Sequence, residues 1–433
     1  MIAFALAATL AVTGPTVYSL DEALAYALAH QPQLRQAGET KAAAEARVAQ
    51  ARSAYLPQLN AALSYQHNSS DFFSLGGGGA NTGVLDSTGS LGTSAFGSRN
   101  RYAGSLGLNQ LLWDFGQTTG RIGSARAGAR AQDANERSTA NQTAYDVRAA
   151  FFQVQATQAL WNSAKDALAN QERHAAQIQA YVEVGKRPQI DLAQARSELA
   201  TARVQAINAE NNFQNAKEQL RVAMGLEPGV AFEIGAGEMP AVEGEASDVT
   251  PLIAGAAERR PDIAALDEQY RAQEVATRAF RRAYLPTLDG SARLTDSGPT
   301  PNDLSWNWSA GVSLNWDLFK GGLTQAQVAE ARHQTAALAS QKTALRQKAA
   351  AEVTQAWLAI RAAKSGLAAA DEAVTNARER LRLAEGRYVE GLGNAVELGD
   401  AQSAVVAAEA QAIQAHFQLA LARAQLRRAI GER

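Results

Sequence analysis

The pattern of apolar and polar residues first indicates four β-strands. Residues 305–318 alternate strictly with period two, so that one face is apolar and the other polar. Residues 58–66 and 288–295 alternate in the same way, and the large apolar residues of 102–112 share one face of a further strand. The Gly-, Ser- and Asn-rich residues 67–100 predict a loop, because they contain no core-forming pattern.

Long helices are predicted after each pair of strands. Residues 117–184 and 323–390 contain no proline, and each stretch of 68 residues would form about 100 Å of helix. Glycine turns end both stretches, and the chain then returns as helices over residues 189–224 and 395–430. One more helix is predicted from Leu20 to just before Pro57, because the residue before a proline disfavours helical geometry.

The two halves of the chain repeat one design. Pro32 precedes the Tyr-Leu-Pro motif ending at Pro57 by 25 residues, and the same spacing separates Pro261 from the motif ending at Pro286. The turn glycine Gly185 recurs 206 residues later at Gly391. This repetition predicts a first repeat (16–224) and a second repeat (251–433). The Gly-, Glu- and Pro-rich residues between them predict an irregular connector (225–250), and residues 1–15 are predicted to be a signal peptide.

The first residues resemble the core of a secretory signal. Ile2 to Val12 are small and apolar, and Gly14 and Pro15 mark the end of this stretch. The positive charge that usually opens such a signal is missing, and a short buried helix is the alternative interpretation. Export would place the chain outside the cytoplasm.

Composition excludes several kinds of chemistry. The chain has no cysteine, so it has no disulfide, cysteine-zinc site, thiol nucleophile or lipid-modified cysteine. Its five histidines are isolated and show no metal-ligand spacing, and the glycines at 76–79 lack the Lys-Ser/Thr pair of a phosphate loop. Net charge is −2, which attracts no nucleic acid. We therefore expect no enzymatic activity, cofactor or metal.

A strand with one apolar and one polar face has two interpretations. It lies either over a soluble core or between lipid and water, as in an outer-membrane barrel. Four strands cannot close a barrel, and unpaired edges are not viable in lipid. Spanning strands therefore need several copies of the chain, and twelve strands from three copies leave more room for water than eight strands from two.

Together these motifs resemble the TolC family of outer-membrane efflux proteins from about Leu20 to Ile430. The resemblance rests on the duplicated Tyr-Leu-Pro segments, the strand-ending Trp-Asp pairs at 113–114 and 316–317, and the glycine turns followed by Asp191 and Glu397. It implies a mixed, mainly α fold. Four strands per chain would enter a trimeric 12-stranded barrel in the outer membrane of a Gram-negative-type cell. Long antiparallel helical hairpins would form a periplasmic tunnel.

The resemblance also implies partners and a role. The homotrimer would be a passive conduit for small molecules or proteins in an efflux or type I secretion system. A periplasmic adaptor protein would dock at the hairpin turns, and an inner-membrane pump or ABC transporter would supply the energy. Outer-membrane lipid would surround the barrel, and no nucleic acid would be bound. The alternative is a soluble periplasmic coiled-coil protein with a structural or adaptor role.

The resemblance assigns roles near the hairpin turns. Asp191, Tyr388, Glu397 and Asp400 match the periplasmic entrance, where Glu397 and Asp400 would form an acidic ring and Asp191 and Tyr388 would tie neighbouring hairpins together. A family arginine in this lock corresponds to Gly393, and Lys186, Arg187 or Arg387 are candidate substitutes. The resemblance also implies that the adaptor contacts the residues of the two turns: Gly185, Lys186, Arg187, Gly391, Leu392 and Gly393.

Simpler explanations stay open for several of these residues. Asn394 followed by Glu397 has the spacing of a helix N-cap with a reciprocal glutamate, so Glu397 has a structural interpretation beside the gating one. Lys186 and Arg187 either contact the adaptor or only keep an exposed turn soluble. Three tryptophans are expected as anchors at the membrane interface: Trp306, Trp308 and Trp316.

Overall fold

The computed structural model describes residues 16–70, 97–390 and 392–433. The predicted signal peptide and Gly391 lie outside these residues. The described strands are β1 (Thr16–Tyr18), β2 (Gln58–Ser70), β3 (Gly97–Trp113), β4 (Phe232–Ile234), β5 (Thr287–Thr300) and β6 (Asp303–Asn315). The described helices are α1 (Leu20–His30), α2 (Pro32–Ser53), α3 (Gln117–Glu183), α4 (Gln189–Met224), α5 (Thr250–Arg259), α6 (Pro261–Arg281), α7 (Leu323–Val389) and α8 (Ala395–Ala429).

The four long helices confirm the prediction to within one residue at each end. Helices α3 and α7 have 67 residues each, and α4 and α8 have 36 and 35. Both long stretches lack proline, so no backbone donor is missing from the helical ladder. None of the helices described is long and apolar enough to cross a membrane.

The prediction of one helix from Leu20 to just before Pro57 was wrong, because the helix is interrupted at Gln31. Its backbone is extended (φ −61°, ψ 122°), since the ring of Pro32 disfavours helical geometry in the residue before it. The second repeat breaks in the same way at Arg260, just before Pro261. Each repeat therefore begins with two helices rather than one.

The residues at these two interruptions, Gln31 and Arg260, cap the C-terminal ends of α4 and α8. The side-chain amide of Gln31 donates to the carbonyls of Val222 (3.2 Å) and Ala223 (2.9 Å), at the end of α4. The guanidinium of Arg260 donates to the carbonyl of Ala429 (3.3 Å), which ends α8 and stands 206 residues after Ala223. Carbonyls in a last helical turn lack helical partners, so the bonds to Ala223 and Ala429 supply donors to acceptors that the helix leaves open. The carbonyl of Val222 also accepts from the backbone N–H of Gly225 over 3.1 Å.

The sheet has the order β2-β3-β5-β6, and each neighbouring pair is antiparallel. The register aligns apolar residues directly across it, as in the row Ala61, Leu106, Leu294 and Trp308. Leu106, Leu294 and Trp308 are 45%, 45% and 66% exposed. One face of the sheet is therefore apolar and uncovered in the single chain.

Several strand boundaries differ from the prediction. Residues 67–70 and 97–100 of the predicted loop belong to β2 and β3, and residues 71–96 of that loop lie outside the described residues. Pairing between the two strands extends the ladder to Ser70 and Gly97. In the second repeat, β6 ends at Asn315 rather than at the predicted Leu318, so Trp316 lies beyond the paired part of the strand.

The connector is more ordered than the prediction of an irregular segment implied. Its strand β4 pairs in parallel with β1, and Phe232 joins the apolar core. Glu245 is 5% exposed and accepts from the guanidinium of Arg423 (3.0 Å) and from Lys364 (2.9 Å). These charge-assisted bonds attach the connector to α7 and α8.

Contacts divide the chain into two compact units. The first contains the described parts of residues 1–44, 128–270 and 337–433, and the second contains residues 45–127 and 271–336, with the sheet. Each unit takes segments from both sequence repeats. The first unit has apolar clusters built around Phe151 and Leu220, around Ile360 and Leu426, and around Ile178 and Tyr388.

Candidate functional site

The cluster around Ile178 and Tyr388 joins the turn-proximal ends of all four long helices. Its buried members are Ala175 and Ile178 of α3, Ala195 of α4, Ala384 and Tyr388 of α7, and Leu398 and Ala401 of α8. Four of these seven are alanines, which let helix backbones approach closely. The packing therefore brings the two predicted turns into one small region of the first unit, which we call the tip.

The turn of the first hairpin is a glycine C-cap. Gly185 has φ of 74°, and the backbone N–H of Lys186 donates to the carbonyl of Tyr181 over 2.8 Å. A side chain at Gly185 would be strained in this left-handed geometry, which explains glycine here. Lys186 is exposed, whereas Arg187 is partly buried against the second hairpin. The two neighbouring cations therefore have different environments.

Arg187 connects the two hairpins. Its guanidinium nitrogen lies 3.8 Å from a carboxylate oxygen of Asp191, one helical turn further on. The guanidinium carbon also lies 4.7 Å from the ring centroid of Tyr388 on α7, within the range of cation–π attraction. Of the three cations proposed to replace the family arginine, Arg187 is the one placed against Asp191 and Tyr388.

Tyr388 is 8% exposed, and its hydroxyl has no hydrogen-bond partner among the described residues. Burial raises the pKa of this phenol, because the phenolate would lose its hydration; the charge of Arg187 opposes this, and Asp191 and Tyr181 add to it. The ring makes an edge-type contact with the imidazole of His174, with centroids 6.3 Å apart and an angle of 61° between the ring planes. His174 was not among the predicted site residues. Its spacing from Ile178 and Tyr181 was the available signal, because steps of four and three residues share a helix face.

The turn of the second hairpin is closed by two backbone donors. The N–H groups of Leu392 and Gly393 both donate to the carbonyl of Arg387, at 2.8 Å and 2.9 Å. A Cβ atom on Gly393 would lie 3.2 Å from the backbone nitrogen of Tyr388, a tight contact. This turn therefore favours glycine at position 393, where the resemblance led us to expect an arginine. Leu392 is 75% exposed.

The acidic residues after this turn have separate environments. Asn394 caps α8, because its side chain accepts from the backbone N–H of Glu397 over 2.7 Å. The carboxylate of Glu397 lies 3.2 Å from Arg387 Nε, so its ion pair replaces the reciprocal capping bond that the spacing predicted. Asp400 is exposed and forms no ion pair within the described part of the chain.

The three predicted interface tryptophans lie in the second unit. Trp306 and Trp308 belong to β6, opposite Asp296 and Leu294, and are 71% and 66% exposed. Trp316 follows the strand, and its indole N–H donates to the carbonyl of Tyr284 over 3.0 Å. All three rings are uncovered in the single chain, and Trp316 has its polar end satisfied.

The described residues contain no group of three or more histidines and carboxylates that could hold a metal ion. Sequence reasoning also missed Glu245, because its cations Lys364 and Arg423 lie more than a hundred residues away along the chain. Glu245 nevertheless accepts the backbone N–H of Val242 over 2.9 Å. The spacing of three residues between these two was the local signal.

Comparison with known proteins gives one consistent result. A family model described as "Outer membrane efflux protein" matches residues 23–226 and 252–432. The chain is 26% identical to the outer membrane efflux protein BepC of Brucella suis, over 76% of this chain and 73% of the relative. It is 23% identical to the outer membrane protein TolC of Escherichia coli, over 92% of this chain and 79% of the relative.

A solved structure shows the same fold. The outer membrane channel CmeC of Campylobacter jejuni superposes with a TM-score of 0.80, at 17% identity, over 95% of this chain and 85% of that chain. At this identity the likeness concerns the fold alone. The prediction of a TolC-like fold, mainly α with four strands beside long helical hairpins, is therefore confirmed.

Proposed function

The chain belongs to the outer membrane efflux protein family, and we propose that three copies of it form a passive exit channel with its gate at the tip. The family accounts for the outer-membrane location and for the channel role. The finer assignments are the trimer, the gate residues, the docking turns and the partners. We argue them from the contacts of the single chain.

One observation carries the proposal: the four-stranded sheet has an uncovered apolar face. Leu106, Leu294 and Trp308 stand side by side on it, and each is at least 45% exposed. Apolar surface of this kind is unfavourable in water and favourable in lipid. The sheet order also leaves β2 and β6 as its edges. Edge strands need partners in lipid, and three copies supply them by forming twelve strands.

The tip supports the gate. Arg187 holds Tyr388 of the second hairpin and Asp191 of the first, so the two hairpins share one cation. We assign this cluster as the intramolecular part of the closing lock, with Arg187 in the role of the family arginine. Three copies of Glu397 and Asp400 would concentrate negative charge at the entrance and attract cations.

The turns are the proposed docking points for a periplasmic adaptor protein. Lys186 and Leu392 are exposed on the first and second turn, which offers a cation and an apolar side chain to a partner. An inner-membrane pump or ABC transporter would supply the energy, because a channel of this kind performs no covalent chemistry. The cargo would be a small molecule or a protein that the pump selects.

Single-channel recording in a planar bilayer tests the proposal. Purified wild-type protein should give discrete pores, and divalent cations on the periplasmic side should block them. The double variant Glu397→Ala/Asp400→Ala should lose most of this block. The matched control is Asp371→Ala/Glu372→Ala, which removes two exposed carboxylates of α7 and should keep it.

Each result separates the alternatives. Equal block in all three proteins would contradict the acidic entrance while keeping the channel. Absence of pores from a protein that stays soluble without detergent would contradict the channel and favour a soluble coiled-coil or adaptor protein. Heat-modifiable migration of the band in electrophoresis would independently support a barrel.

A further inference from the structure

His174 occupies a central place in the tip. It lies on α3 and is partly buried, and its ring makes an edge-type contact with the Tyr388 ring at a centroid distance of 6.3 Å. The guanidinium of Arg187 lies over the same tyrosine at 4.7 Å. Tyr388 therefore contacts both a permanent cation and a group that gains a positive charge in mild acid.

The charged groups around His174 come from each neighbouring element. Glu198 of α4 is the carboxylate that acts on it, and Glu198 accepts from the Gln194 amide over 3.1 Å. Glu198 also contacts α8, where a Cβ on Gly399 would lie 3.2 Å from its Oε1. Tyr388 meets His174 from α7, and Arg187 contacts the same tyrosine ring.

The charges beside His174 on α3 have other partners. Arg173 bonds to the Asn170 side chain on the same helix, and Glu172 lies 3.8 Å from Arg203 of α4. Neither bond uses the imidazole. Within the described tip, the charge of Glu198 is the one that favours the imidazolium form of His174.

Burial lowers the pKa of His174 below its ordinary value, because the packed tip withholds water from the imidazolium; Glu198 partly opposes this effect. The packed tip therefore favours the neutral ring. A tip whose hairpins have separated exposes the ring and restores its ordinary pKa. Acid then favours separation, since the separated form takes up the proton first, and packing is fully favoured only where both forms are neutral.

We propose that His174 is an acid-sensitive release for the tip, whose protonation favours separation of the two hairpins and opening of the entrance. This inference rests on the proposed function, because it concerns the regulation of the same gate. It adds a proton as the ligand of the gate, taken up by the imidazole that contacts Tyr388. Arg187 holds the tip at neutral pH, and a second positive charge near Tyr388 works against that contact.

Two measurements test the release between about pH 8 and pH 5, the range in which histidine titrates. The first is the open probability of channels in a planar bilayer. The second is the distance between spin labels at Val184→Cys in the trimer, which attach specifically because the chain has no native cysteine. Both are recorded for wild type, His174→Gln and His174→Phe, with His416→Gln, an exposed histidine of α8, as the matched control.

In wild type and in His416→Gln, we expect acid to raise open probability by about fivefold, the lower end of typical couplings between sites, and to lengthen the label distance. Both His174 variants should lose this response. His174→Phe keeps an aromatic ring against Tyr388 but cannot take up a proton, so it distinguishes the effect of protonation from the effect of packing. Suppose that a His174 variant forms pores, keeps its labels close at high pH and still shows the wild-type response to acid. That result would overturn the role of His174 in acid release and leave the channel unaffected. Absence of pores at every pH, with no acid change in label distance, would overturn the channel and the release together.

Discussion

The guanidinium of Arg187 lies over the ring of Tyr388, 4.7 Å from its centroid, and joins the turn of the first hairpin to the second hairpin. The same guanidinium lies 3.8 Å from Asp191. Tyr388 is buried, so this contact is partly shielded from water and salt. Arg187 of the first turn therefore links the two hairpins, a role that Gly393 of the second turn has no side chain to perform.

Removal of Arg187 should loosen the tip. We expect Arg187→Ala to shift the opening equilibrium by about 1 kcal/mol, or about fivefold, which is typical of a partly exposed cation–π contact. The measurement is the open probability of single channels at neutral pH. The control is Lys186→Ala, which removes the neighbouring exposed cation and should leave the open probability unchanged. Equal effects of the two variants would mean that only the net charge of the turn matters.

Loss of Glu245 should detach the connector. Glu245→Ala leaves Arg423 and Lys364 without their buried carboxylate, and we expect a loss of about 3 kcal/mol in the free energy of unfolding. Unfolding in detergent by chemical denaturant, followed by circular dichroism, measures it. Glu243→Ala removes an exposed carboxylate two residues earlier and should change stability little. A similar loss in both variants would contradict the buried ion cluster.

The same carboxylate predicts an acid limit for the connector. Hydrogen bonds from Arg423, Lys364 and Val242 outweigh burial and lower the pKa of Glu245 from 4.5 to about 2. Because the folded pKa is depressed, its contribution to stability is full above pH 4.5 and is lost as pH falls toward 2. The difference in stability between wild type and Glu245→Gln should shrink over this window. A constant difference would contradict this assignment.

The two capping side chains should contribute unequally. Arg260→Ala leaves the carboxylates of Asp262 and Glu352 without their shared cation, each 2.6 Å from it, and should cost about 3 kcal/mol. Gln31→Ala removes only neutral hydrogen bonds and should cost about 1 kcal/mol. Denaturation in detergent measures both. Arg259→Ala is the control, because Arg259 is exposed and pairs at 3.3 Å with Glu432 at the surface.

The two faces of the sheet should respond differently to charge. Leu294→Arg places a cation on the exposed apolar face and should cost about 2–4 kcal/mol near the centre of the bilayer. Thr295→Arg, the next residue of β5, places the same charge on the polar face and should cost much less. Reversible unfolding from lipid vesicles measures the difference. Equal tolerance of the two charges would contradict lipid contact on the apolar face.

The sequence determined the periodic part of this protein. Alternation with period two located the four strands, and the absence of proline predicted α3 and α7 to within a residue, because both properties are local. The duplicated motifs pointed to the efflux family, which the family comparison confirms. The break at Gln31 was also encoded locally, since Pro32 follows it, but the prediction placed no break there.

Only the tertiary structure decided which distant groups meet. Nothing in the sequence favoured one of the three cations near the turns as the partner of Asp191 and Tyr388. Packing of α3 and α4 against α7 placed Arg187 on Tyr388 and left Lys186 exposed. Arg387 instead took Glu397 away from its expected capping bond. His174 became part of the tip for the same reason. Such contacts join residues that are far apart along the chain. Local periodicity predicts which face of a helix or strand a side chain occupies, but not which residue of another element it will contact.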